Sequence, residues 1–182
     1  RRILYGLCLK VLIADNIAVL VDEGFLVQSE YLSAFDVWTL AFLFGFQIYF
    51  DFSAYSHIAI GSARLLGINF PENFNYPYVA VNPKDFWKRW HISLSSWIRD
   101  YLYLPLTGAK IISRSEGGLA DVVNAKQGSP NTALFLSWSI MGLWHGASWT
   151  FLIWGLYHAI IIYFYRIFSK IEKFKPTKSV SV

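Results

Sequence analysis

Long apolar runs, each broken by a few polar residues, set the pattern of this chain. The first, Ile3 to Val21, holds Lys10, Asp15 and Asn16 and approaches the roughly 20 residues that span a bilayer as a helix. Its charges predict a membrane helix lining a polar interior or a helix lying at the interface. The bland alternative has Lys10 snorkelling and Asp15 capping or pairing locally. Asp22-Glu23-Gly24 predicts the end of that helix. The second run, Phe35 to Ile60, is almost wholly apolar from Val37 to Phe50, with Gln47 as its strongly polar break. Gln47, Asp51 and Ser53 recur near helical spacing and give this helix one polar wall. Asp51, framed by Tyr49, Phe50 and Phe52, has to be paired, protonated or open to water. It is either an interface marker or a working carboxylate; His57 reads as an interface marker.

Gly67 to Pro83 predicts an extended loop, because the residues before its prolines are pushed out of the helical region. Asp85 to Tyr103 predicts one amphipathic interfacial helix with Asn82-Pro83-Lys84-Asp85 at its start. Phe86, Trp90, Leu94 and Trp97 form its apolar stripe, with Lys88, Ser95 and Arg99 off it. Thr107 to Pro130 reads as a hydrophilic solvent loop with a short helix near Leu119 to Asn124. The last run, Thr132 to Phe168, is 37 residues long, too long for one ordinary span and short for two with a turn. Gly142 and Gly146-Ala147-Ser148 interrupt it, predicting a broken or re-entrant hairpin whose freed backbone groups are buried in protein or water.

That break carries the chemistry. Gly142-Leu143-Trp144-His145-Gly146-Ala147-Ser148-Trp149 lies in an apolar stretch, Ala133 to Phe168, with no acid and one Arg, Arg166. An ionisable group at membrane depth is costly and marks a functional path or site, and an imidazole moves protons near neutral pH. His145 is thus expected deep in the protein, at the break, as a proton-transfer residue. His91, between Trp90 and Ile92, fits lipid phosphate equally well. His158, beside Tyr157, reads as a packing or interface residue.

Composition agrees with a membrane class. The chain has 182 residues, 55% hydrophobic and 15% charged, where a soluble domain carries about a quarter charged. Its 8 Trp and 11 Tyr suit bilayer interfaces. Lys84, Lys88, Arg89, Arg99, Lys110, Arg114 and Lys126 form one basic block, and Arg166 to Lys178 another. Flanking apolar runs, such blocks predict cytoplasmic or interfacial segments. They do not sit on a soluble polar domain, which excludes nucleic-acid binding. Cys8 alone allows no internal disulfide. No signal-peptide cleavage pattern follows Arg1-Arg2, and the absence of an initiator Met predicts an excerpt of a longer protein. HxxxH, HExxH and cysteine pairs are missing, so no metal site is expected; nor is there a phosphate loop or a GxSxG elbow.

Three stretches resemble the membrane-bound O-acyltransferases, most closely their bacterial alginate O-acetyltransferase branch, relatives of the teichoic-acid D-alanyl transferases. They are Phe70 to Tyr78 (FPENFNYPY), Phe86 to Tyr103 (FWKRWHISLSSWIRDYLY) and Gly142 to Trp149 (GLWHGASW), with Lys10 to Asn16 in support. The resemblance implies an all-α, polytopic transmembrane bundle with interfacial and broken or re-entrant helices. Residues 1–182 would be part of a single such domain, with upstream and downstream helices absent. It implies His145 as the catalytic histidine and His91 as the second functional polar position. The donor implied is a cytoplasmic acyl thioester, acetyl-CoA or an acyl carrier, with no bound cofactor. The acyl group, acetyl, would cross a multi-pass bacterial inner membrane to O-acylate an exported polysaccharide such as alginate, through a periplasmic or extracellular acyltransferase partner. Pro105-Leu106-Thr107-Gly108 departs from the branch, which usually has two glycines there, and the 109–130 loop is longer than expected; both bear on cytoplasmic contacts.

The expected mechanism makes His145 general base on an acceptor hydroxyl that attacks the thioester, positioned proton transfer being worth about a hundred- to ten-thousand-fold. His91 would orient the donor or polarise its carbonyl. Lys88 or Arg99 would hold donor phosphates, with Arg99-Asp100 as a local structural pair the competing reading, and Asp51 a further binding candidate. Rival functions are D-alanyl transfer to teichoic acid and, from another class, a proton-coupled transporter or channel using His145 and Asp51. Transporters usually carry internal repeats, and none is visible.

Overall fold

The structure, a computed structural model, describes residues 1–113, 121–124 and 128–171. The chain divides into two compact units, Arg1–Asn73 and Phe74–Val182.

In the first unit, α1 (Arg2–Cys8), a π-helical turn (Leu9–Ala14) and α2 (Asp15–Leu26) run on as one rod. A short 3-10 turn, Ser29–Tyr31, leads to α3 (Ala34–Leu65), which runs back along that rod. Ser33 starts α3 with a capping box shared with Asp36, which satisfies backbone donors the first turn leaves open. Asp22-Glu23-Gly24 does not end the first helix, which continues to Leu26. Gly24 lies two residues before that end and faces the Leu40 side chain, whose methyl a Cβ there would meet at 2.2 Å. Gly6 likewise lets the rod approach within touching distance of the Ala54 carbonyl.

Two groups of charges in this unit are paired. Lys10 donates to Asp15 at 2.8 Å and to Asp51 at 2.6 Å, so the π turn carries the one cation between two carboxylates. Arg2 donates through Nε to His57 Nδ1 at 3.0 Å and pairs with Glu72, while Tyr5 meets the His57 ring edge-on at 4.8 Å.

The second unit begins with a loop and a 3-10 turn (Pro77–Val79), then α4 (Pro83–Arg89) and α5 (Ile92–Ile98). A π turn (Arg99–Tyr103) and α6 (Leu104–Leu106) follow. Asn82 caps α4 by accepting from the Asp85 amide at 2.8 Å. The single helix expected over 85–103 is therefore broken. Trp90 is extended and His91 is left-handed at φ 42°, a conformation that costs a non-glycine residue and persists only where the surroundings hold it. Phe86, Trp90 and Leu94 of the expected stripe do pack on the core, but Trp97 is exposed, and the buried aromatic is Trp87.

Part of the 107–130 loop is an antiparallel hairpin, β1 (Ala109–Ser113) with β2 (Asp121–Asn124). The short helix expected near Leu119 to Asn124 is replaced at 121–124 by strand, in keeping with the β-branched Ile111-Ile112 and Val122-Val123; Leu119 and Ala120 lie outside the described residues. So do Arg114, Lys126 and the basic positions after Ile171. Among the described residues, the regular structure outside this hairpin is helical.

The long apolar run resolves into α7 (Pro130–His145) and α8 (Trp149–Phe168), capped by Ser129 and Ser148. They form an antiparallel pair whose backbones touch at Gly142 and Gly155. A Cβ on Gly155 would lie 2.3 Å from the Trp138 carbonyl and 3.3 Å from Gly142 Cα. Trp87, Ile98, Leu134, Trp138, Met141, Ala159 and Ile162 make the core against which α4 and α5 rest.

Arg2–Leu26, Ala34–Leu65 and Trp149–Phe168 are long and apolar enough to cross a membrane. Only 11–17% of their most apolar windows is buried within the chain, so their greasy surfaces face outward, as lipid-facing helices do. At 16 residues, α7 reaches only about 24 Å, short of the roughly 30 Å hydrocarbon core.

Candidate functional site

His145 is the last residue of α7, at the break the sequence predicts. It is exposed in this chain, not deep as expected, because the break stands at the end of the α7/α8 pair, beyond the core built around Trp138 and Met141. Its ring is walled on one side by aromatics. Trp154 stands edge-to-face at 5.0 Å, Trp144 at 5.0 Å, and Phe151 lies nearly parallel at 6.3 Å.

His91 comes to the same place from the α4/α5 break. Burial first, and then the charge of nearby His145, push its pKa down to about 4. His91 is therefore neutral at physiological pH, and it holds one imidazole proton to donate and one lone pair to accept. The left-handed backbone that aims it is what the sequence pattern did not reveal: Trp90-His91-Ile92 fits a continuous helix by spacing alone.

The loop before α4 is tied down by a buried ion pair. Arg89 donates to Asp85 at 3.1 Å, with side chains only 6% and 9% exposed, and also to the Asn75 carbonyl at 3.2 Å, while the Asn75 amide returns a bond to the Arg89 carbonyl. Arg89 is thus a structural cation, whereas its neighbour Lys88 is exposed. Arg99 binds the buried Asp100 at 2.6 Å, the local pairing weighed for it. Asp51 lies in the first unit, salt-bridged to Lys10. Of the five site candidates, the structure brings together His145 and His91.

Two residues complete the surroundings of the histidine pair. His158 is enclosed by Trp154 at 4.6 Å, Trp87 at 5.0 Å and Trp138 at 5.4 Å, the packing role its neighbours predict. Trp154 was not singled out by the sequence. The available signal was its position, one turn before His158 on the same helix face and next to the Gly155 contact. Among the described residues no three His, Cys, Asp or Glu side chains converge as metal ligands would. A cleft of about 580 Å³ lined by Asn131, Tyr163, Arg166, Ser169 and Lys170 opens at the opposite end of the α7/α8 pair from His145.

Comparison with known proteins places this arrangement. The family model of the membrane-bound O-acyltransferases matches residues 1–180. The chain is 43% identical to a peptidoglycan O-acetyltransferase of Helicobacter pylori, over 90% of its length and 28% of that protein. It is 39% identical to a probable alginate O-acetylase of Pseudomonas putida, over 97% of its length and 34% of that protein. A teichoic acid D-alanyltransferase of Bacillus subtilis is 38% identical, over 74% of this chain and 33% of that protein. The chain therefore spans about a third of the length of these relatives.

Proposed function

This chain belongs to the membrane-bound O-acyltransferase family, and from that premise we propose that the protein moves an acetyl group from a cytoplasmic thioester to a hydroxyl of an exported cell-surface glycan. The observation that carries the reading is the meeting of His145 and His91 at two helix breaks, in a chain whose family transfers acyl groups to oxygen. His145 takes the proton of the acceptor hydroxyl as its oxygen attacks the thioester carbonyl. The C–S bond then breaks, and the leaving thiolate recovers that proton from the imidazolium. His91, neutral, donates its N–H to the carbonyl oxygen as negative charge develops there. Lys88, exposed on α4, attracts donor phosphates; Arg99, already engaged by Asp100, is the weaker candidate, and Asp51 serves the Lys10 pair rather than substrate.

The names of the relatives supply the acceptor classes, peptidoglycan and alginate, and the outward apolar helices support a multi-pass protein of the bacterial inner membrane. A partner on the outer side of that membrane would complete transfer onto the polymer. The D-alanyltransferase relative supports a second reading with the same histidine chemistry and a carrier-protein thioester as donor. Ester analysis of the glycans of cells with and without the protein separates the two. Acetate on a polysaccharide supports the proposal, alanine on teichoic acid the alternative, and neither ester refutes both.

A further inference from the structure

We propose that Trp154 is a positioning residue for His145: its indole, wedged between His145 and His158, fixes the imidazole in the orientation from which it accepts the hydroxyl proton. The inference rests on the reading of His145 as the base. An exposed histidine at the end of a helix is free to turn about both side-chain torsions, so a working base at this position needs a wall. Of the three rings around it, Trp144 is 63% exposed and Phe151 39% exposed, and both are placed by the outer turn itself. Trp154 is half-buried and backed on three sides, by His158 at 4.6 Å, Trp87 at 5.9 Å and Trp138 at 6.4 Å.

Helix crossing makes the wall rigid. Trp154 precedes Gly155, where α7 and α8 touch backbone to backbone. The indole therefore cannot slide relative to the last turn of α7 without opening that contact. His145 and Trp154 meet at 5.0 Å with their planes 77° apart, an edge-to-face arrangement that favours one ring orientation over others. His158 has a place in this account as part of the backing, although it touches no reacting atom.

The test uses inside-out membrane vesicles from glycan-exporting cells that carry the full-length protein and its outer-side partner, with acetyl-CoA titrated on the exposed cytoplasmic face and ester-linked acetate on the glycan as the readout. Trp154→Met, flexible and without a flat ring, is expected to lower kcat by about tenfold or more, since small misplacements of a reacting group are costly, while KM for acetyl-CoA stays within about twofold. Trp154→Phe, which keeps a ring, is expected to recover most of kcat. Unchanged kcat in Trp154→Met, an increase confined to KM, or equal losses in the Met and Phe variants would overturn the proposal. Should Trp154→Met not accumulate, His158→Leu replaces it: a smaller fall in kcat at unchanged KM supports the proposal, and wild-type kcat contradicts it. His145→Ala run alongside keeps the two readings apart. Activity in His145→Ala removes the base assignment itself; an inactive His145→Ala beside a fully active Trp154→Met removes only the positioning role.

Discussion

At the residue scale, the second unit depends on polar groups that its sequence presents as surface charge. Arg89 looks like one more member of a basic block, yet it is buried against Asp85 and the Asn75 carbonyl. Removing one partner of a buried pair strands the other, typically at about 3–5 kcal/mol. Arg89→Met is thus expected to lower the melting temperature of the detergent-solubilised full-length protein sharply, while Lys88→Met, one residue away and exposed, stays within about 0.5 kcal/mol. Equal effects would contradict the assignment. His91 makes a different prediction. Its pKa falls from the ordinary 6.5 to about 4 in the folded state, so between those values the unfolded chain binds a proton that the folded one refuses. Stability is then lost as pH falls from about 6.5 towards 4, and His91→Gln should flatten that acid slope; an unchanged slope would contradict it. His145 was legible as a candidate because an imidazole beside glycine, at the break of an apolar run, stands out. His91 was legible only through family resemblance, since its left-handed backbone leaves no mark on hydrophobic spacing.

Glycines and one ion triad govern the elements. Periodicity found the long helices and the break at Gly146-Ala147-Ser148, but it could not distinguish a glycine that ends a helix from one that lets two helices touch. Gly142 and Gly155 are of the second kind, meeting across α7 and α8; the helix expected over 85–103 is broken by the extended Trp90 and left-handed His91, which spacing does not register. Gly155→Val would force a side chain into the Trp138 carbonyl. Overpacking usually costs about 1–3 kcal/mol, and here it also parts His145 from Trp154, so activity should fall further than stability. Retained wild-type activity would show that the crossing is not needed. In the first unit, Lys10→Met leaves Asp15 and Asp51 without their shared cation, on two helices long and apolar enough to cross a membrane, where unpaired charge is costly. Immunoblots of membranes should show less protein, partly restored by adding Asp51→Asn. Full accumulation of the single variant would mean that the triad is not needed for assembly.

For the whole molecule, membrane class was readable from composition and from helices whose apolar faces point outward. The depth expected for His145 is not met: the residue is exposed in this chain, which spans about a third of its relatives' length. The proposed reaction is one for the full-length protein, and the histidine at the α7/α8 break is tested there. Glycans exported by cells carrying wild-type or His145→Ala protein, at matched membrane levels, are assayed for ester-linked acetate. Acetate is expected on the wild-type polymer, and its loss in His145→Ala with polymer export unchanged. Equal acetate in both would contradict the assignment of His145 as base.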